Sequence, residues 1–425
     1  MTATLLRGGW RPVTGTIQVP TYPTAASTGP AAWSGYATPT PVTISANTNL
    51  NATGYPAWVV PGTGAQTGSL VVTNTAFTMT GGTITVNAPS VIFQGCSFAS
   101  SAVPGVNGPT LINTTGAGPY TFSYCSAYGS DGTTATRVML CINQGADAPL
   151  TVENCNIYYM KQAVQLFTGT ASGVSITGNY MHDLVNYATA APAPSVSWAS
   201  TGGTVLAGTY QVAVSYYNAA TGETLASVTP GTVTTTGSAS TITVTSPAAS
   251  TGETGWYAYV TQAGGSSFTR QQASGSPTAI GTSLTLTAPP TSSGAGVPSV
   301  DHSEHIYAGA TGGGSNITIS GNTLLNPLSQ TACIYLHPPN AFTNCAITSN
   351  LLAGGDYCLY LGGSASTGIV VTGNVFSTVS PYYPASGFFG PGYTSSPPVF
   401  GSSGNIWSGN TWLDGPNAGL AITAP

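Results

Sequence analysis

Apolar and polar positions alternate in short bursts along this chain, and the bursts share an ending. VIFQGC closes at Cys96, YTFSYC at Cys125, LTVENC at Cys155, SITGN at Asn179, ITISGN at Asn322, AITSN at Asn350, VVTGN at Asn374 and NIWSGN at Asn410. Alternation over five or six residues, rich in Ile, Val and Thr, predicts strands with one buried face. Neighbouring endings lie 29, 30, 24, 143, 28, 24 and 36 residues apart. Apart from the gap of 143, these are periods of a repeat whose units bury their apolar faces only by stacking. Each unit holds a second apolar run, such as MLCINQG from Met139, VQLFTG from Val164, HIYAG from His305, CIYLH from Cys333 and CLYLG from Cys358.

Two or three short strands per turn, separated by Gly, Ser, Asn and Pro, predict an all-β fold, a right-handed parallel β-helix. The residues ending the strands should stack coil upon coil at about 4.8 Å, the three Cys first and the Asn as a continuing amide ladder. Removing one ordinary coil from the long gap leaves about 110 residues, enough for one small domain. Within it GTYQVAVSYYNAATGETLAS, STITVTS, GWYAYVTQ and SLTLTAP alternate at β-sandwich spacing. Tyr210, Val212, Val214 and Tyr216 share one face there, and Trp256, Ala258 and Val260 another. The expected division is an N-terminal arm and cap over 1–85, β-helix over 86–192, an inserted sandwich over 193–298, and β-helix with a C-terminal cap over 299–425.

Charge narrows the function. Five basic and ten acidic residues among 425 leave solubility to hydroxyls and amides, while 55 Gly and 31 Pro supply turns. Arg7, Arg11, Arg137, Lys161 and Arg270 are too few and too scattered to neutralise phosphates, so no nucleic-acid partner is expected. No run of 18 apolar residues predicts a transmembrane segment. MTATLLRGGWRPVTG lacks the long apolar stretch of a secretory signal, which predicts assembly in a cytoplasm. Seven Cys without a signal or a CxxC pair read as buried free thiols; neither a metal site nor a cofactor is expected.

Candidate chemistry gathers where the insertion leaves and rejoins the repeat. YMHDL carries His182 and Asp183; VDHSEHIYAG carries Asp301, His302, Glu304 and His305. Three of the four His thus fall within one coil if the insertion's ends are close. Imidazole beside carboxylate suits general acid–base work, and Asp183 with Asp301 or Glu304 could form the carboxylate pair of a glycosidase. Strand alternation sends Asp301, Ser303 and His305 one way and His302 and Glu304 the other. A hydrogen-bonded junction locking the insertion in place explains the same cluster without catalysis. Glycan or receptor contacts are expected at Tyr217, Tyr257 and Tyr259 on the outer face of the insertion. Tyr382, Tyr383, Phe388, Phe389 and Tyr393, in the Pro-rich loop before Asn410, are further candidates.

The Cys and Asn series, the opening coil VNAPSVIFQGCSF, the strand DHSEHI, the fibronectin-like insertion and the closing GNIWSGNTWLDG together resemble β-helix (pectate-lyase-like) minor tail or tail-spike proteins of bacteriophages. The hosts of such phages are Gram-positive, particularly actinobacterial. The likeness covers roughly residues 85–192 and 299–415. It implies a virion tail component, assembled in the host cytoplasm beside other tail proteins, that contacts envelope glycan or glycolipid, and by analogy a homotrimer. The insertion is similar to fibronectin type III or immunoglobulin-like modules. The alternative activity is a polysaccharide lyase or glycoside hydrolase acting on the same envelope, although the GHG-type motif of polygalacturonases is missing and no basic residue lies near the cluster.

Overall fold

A computed structural model describes residues 22–100, 110–129, 138–167, 169–184, 191–218, 222–249, 253–298, 303–309, 312–327, 332–377, 390–393 and 400–425. The fold is all-β. Three long sheets of parallel strands run through it, two of ten strands and one of nine. The chain visits them in rotation. Leu70–Thr73 lies in the first sheet, Thr75–Met79 in the second and Ile84–Val86 in the third; Val91–Gln94, Ser97–Ser100 and Thr110–Thr114 then pair with these in turn. One strand per sheet per coil is consistent with a parallel β-helix. Its core is a column of inward aliphatic and aromatic side chains, with Phe77 stacked on Phe98 at 5.0 Å and Phe93 on Phe122 at 5.0 Å.

The recurring strand ending is a corner. The residue before each Cys or Asn has a left-handed backbone, with φ of 61° at Gly95, 50° at Tyr124, 52° at Asn154, 66° at Gly178, 63° at Gly321, 57° at Ser349, 65° at Gly373 and 63° at Gly409. This bend carries the chain from the first sheet to the second, and glycine takes it without the Cβ penalty. Asn74, at φ 45°, makes the same bend before buried Thr75, so the series starts one coil earlier than its Cys and Asn members.

Behind the corner the predicted ladder is present. Asn322 Oδ1 accepts from the backbone N–H and the side-chain Nδ2 of Asn179, both at 2.9 Å. Asn350 does the same for Asn322, Asn374 for Asn350 and Asn410 for Asn374, at 2.9–3.0 Å. Each Nδ2 also donates to a strand carbonyl, for instance Asn350 to Ile319 at 3.0 Å. The Cys rungs copy only part of this. Cys125 Sγ donates to Phe93 O at 3.5 Å and Cys155 Sγ to Phe122 O at 3.5 Å, and laterally Cys125 N–H donates to Cys155 Sγ at 3.4 Å.

The expected boundary at residue 85 is too late. Thr40–Ile44 already pairs in parallel with Thr75–Met79, and Thr48–Leu50 with Ile84–Val86. Pairing thus begins at Thr40, and the residues just before it run along the sheet corners. Gly29 N–H bonds Asn154 O at 2.8 Å, the Trp33 ring lies against Gly95, and Ala37 N–H bonds Asn74 Oδ1 at 2.9 Å. The arm therefore runs back along the corners of the first four coils. At the other end the chain folds over its last coil: Ile422 enters the core, its N–H bonds Asn410 O, and Trp407 Nε1 donates to its carbonyl at 2.7 Å.

The long gap lies inside one coil. Tyr180–His182 continues the second sheet between Asn156–Tyr158 and Thr323–Asn326, and Glu304–Ala308 continues the third between Met160–Gln165 and Ala332–Leu336. Between them stand antiparallel strands in two sheets. One contains Val196–Ala199, Thr241–Val244 and Leu284–Leu286; the other is built on Gly208–Asn218 and Gly255–Thr261. The two faces read from the sequence meet in one core, where Tyr210, Val212, Val214 and Tyr216 pack with Trp256, Ala258, Val260 and Ile242.

Candidate functional site

The predicted His and acid cluster converges only in part. His182 sits on the outer face of the second sheet, stacked on Tyr180 at 4.1 Å and Tyr158 at 4.9 Å. Its Nδ1 meets Asp183 Oδ2 at 2.7 Å and its Nε2 meets Asn156 Oδ1 at 3.1 Å. The hydrogen bond from His182 holds the Asp183 carboxyl below its usual value, against the opposing effect of partial burial. Asp183 itself bends the chain at φ 50° as it leaves the strand.

Alternation fails for the other half. Ser303, Glu304 and His305 are all fully buried, because the start of this strand is covered on both sides. Gln162 Nε2 donates to Glu304 Oε2 at 2.6 Å across adjacent strands. His305 is enclosed with neither ring nitrogen hydrogen bonded. An imidazole so placed cannot exchange protons with a substrate from outside. Asp301 and His302 lie outside the described residues.

Two of the expected sugar contacts are internal. Tyr257 and Tyr259 are buried because the second face of their sheet is also covered. Arg270 lies 4.8 Å over the Tyr257 ring, Tyr217 packs edge-on against it at 5.4 Å, and the Tyr259 hydroxyl donates to Glu223. Glu223 also takes Arg270 Nη1 at 3.5 Å. Tyr217 is half-buried at the rim of this group. Tyr382, Tyr383, Phe388 and Phe389 lie outside the described residues, and Tyr393 turns out to be the last member of a row.

That row is the feature the sequence reading passed over. On the third sheet Tyr307, Tyr335, Tyr360 and Tyr393 occupy one register position on four successive strands. Tyr307 and Tyr335 stack at 5.4 Å with planes 3° apart; Tyr335 and Tyr360 are tilted by 47° at 4.7 Å, and Tyr360 and Tyr393 by 55° at 5.0 Å. Tyr357 leans on the last two, and His337 stands edge-on to Tyr335 at 5.3 Å. In the three coils just before the insertion the same position holds amides, Asn113, Asn143 and Gln165, with Asn143 Nδ2 donating to Asn113 Oδ1 at 3.0 Å. The signal was present in HIYAG, CIYLH and CLYLG, which each place a Tyr third.

Comparison with family models, curated proteins and solved structures gave no match. The chemistry of the site must therefore be taken from its own atoms. Burial, with the charge of Glu304 next, pushes the Tyr335 phenol up to about 12; burial and then the Asp356 charge push Tyr360 up as well. These phenols stay neutral, able to donate and accept hydrogen bonds. Among the described residues no group of three His, Cys, Asp or Glu is placed to hold a metal ion, and no helix is long and apolar enough to cross a membrane. Lys161 is buried, and Arg270 is engaged inside the inserted unit.

Proposed function

We propose that this chain is a bacteriophage virion protein, a minor tail or spike component on a right-handed parallel β-helix with a fibronectin type III or immunoglobulin-like insertion. It contacts the host envelope by binding glycan or glycolipid along the tyrosine row. The row carries the reading: aromatic rings with hydroxyl tips, half-exposed at Tyr307, Tyr360 and Tyr393, line one outer face where the core has no need of them. The motif resemblance supplies the virion setting, assembly with other tail proteins in the host cytoplasm, and the homotrimer.

The test is adsorption of purified protein to host cells. Replacing Tyr360 and Tyr393 together with Ala is expected to abolish cell binding while the protein stays folded; undiminished adsorption would remove the glycan-binding reading. The depolymerase alternative rests on the His182–Asp183 contact, whose second ring nitrogen already faces Asn156. Release of oligosaccharide from host envelope, lost in Asp183→Ala, would restore it.

A further inference from the structure

The amide half and the tyrosine half of the row form one track on the third sheet. Asn113, Asn143 and Gln165 lead in register to the first of the four tyrosines. Seven strands at about 4.8 Å give a line of about 29 Å, the length of several sugar units rather than one. Every position on it carries a neutral group able to donate and accept hydrogen bonds.

Two properties of this track define what it can hold. First, its ring faces are largely used. Tyr307 and Tyr335 cover each other, and Tyr335 has His337 against it as well as Tyr360. A sugar ring laid on the row meets hydroxyl edges more than π-faces. Second, the track has no exposed Lys or Arg among the described residues. Among the described residues of this sheet the one Lys or Arg, Lys161, is buried. An anionic polymer would meet no exposed Lys or Arg on the described part of this track to pair with, whereas a neutral one needs only the hydrogen bonds it offers.

We infer that the row takes the interior of an uncharged, hydroxyl-rich polysaccharide, read by phenol and amide hydrogen bonds, and that it favours this class over anionic polymers. This rests on the glycan-binding reading above and deepens it to a ligand class. The probes are dextran, mannan and galactan against polygalacturonate, hyaluronate and poly(glycerol phosphate), measured by calorimetry on the full chain at low and high salt.

At least one neutral polymer is expected to bind, more tightly as its fragments lengthen and with little change in salt. Tyr360→Phe, which keeps the ring, should weaken it roughly five- to tenfold, the worth of one hydrogen bond, with an unchanged melting temperature. Equal or tighter binding of an anionic polymer, weakening with salt, would overturn the inference and leave the glycan-binding reading standing. If Tyr360→Phe is silent and Tyr360→Ala is not, ring-face stacking replaces the hydroxyl reading. Failure of every polymer to bind would overturn both.

Discussion

The coils before the inserted unit and those after it solve the same problem differently. Before it, the corner is backed by Cys96, Cys125 and Cys155, whose thiols donate only weakly, and the arm from Gly29 to Ala37 is laid along that corner. After it, Asn side chains bond sideways as well as inward, and nothing lies within 4 Å of the space a Cβ would take at Gly321. A thiol has one weak donor, whereas an amide has two donors and an oxygen with two lone pairs. Coils joined by weak thiol rungs are strapped from outside; coils joined by amide rungs leave the Gly321 corner bare.

Asn350→Ala should break this contrast most severely. It strands the Asn322 N–H and one Nδ2 hydrogen, and takes the side-chain donor from Ile319 O, in a fully buried place. With each stranded group costing about 1–3 kcal/mol, the loss in denaturant unfolding should be about 3 kcal/mol or more. Cys125→Ala should cost clearly less, about 1–2 kcal/mol. Equal losses would mean that the amide ladder is no stronger than the thiol rungs.

Two corner glycines sharpen the contrast. Gly95→Ala and Gly321→Ala impose the same left-handed strain of about 1 kcal/mol. A Cβ at Gly321 meets open space, but one at Gly95 would fall 2.4 Å from the Trp33 ring. We expect about 1 kcal/mol at Gly321 and about 2–3 kcal/mol at Gly95, the excess being lost arm packing. Hydrogen exchange should show the Gly95 effect confined to the coils under the arm, and Trp33→Ala should remove the difference between the two glycines.

Much of this was legible in the residues. GN, YC and SN endings are the imprint of a left-handed corner followed by a buried rung, and their spacing gave the coil length directly. What escaped had physical reasons. Thr75 backs the same corner without being Cys or Asn, and Thr40–Ile44 is a strand with little apolar content, so the first coils looked irregular. Tyr257 and Tyr259 alternate outward but sit on a sheet covered on both faces, which no single-strand pattern reveals. Conversely, HIYAG and its relatives stand out by their apolar residues, which hides the Tyr at the outward position within an ordinary strand pattern. The His and acid cluster is close in sequence, but Glu304 and His305 are buried in the wall while His182 stands outside it.

The smallest effect concerns pH. The Asp183 carboxyl is lowered from 3.8 by its bond to His182, so its contribution to stability is complete above that value and fades as pH falls through the lower folded value. Because Asp183 is more than half exposed, the effect should be slight. Acid titration of stability should show it as a shallow step below the ordinary carboxylate range that Asp183→Asn removes.

The rung joining Asn179 to Asn322 spans 143 positions of chain, against 24–36 for the other amide rungs. Closing a flexible loop of that length costs about 1.4 kcal/mol more than closing an ordinary coil, and it is slow. If the inserted strands assemble first, their ends bring the two flanking strands together and most of that search is over before the coil forms. The insertion would then act as a folding clamp at the middle of the molecule, and the order of events during synthesis would be fixed by the one place where the repeat is interrupted.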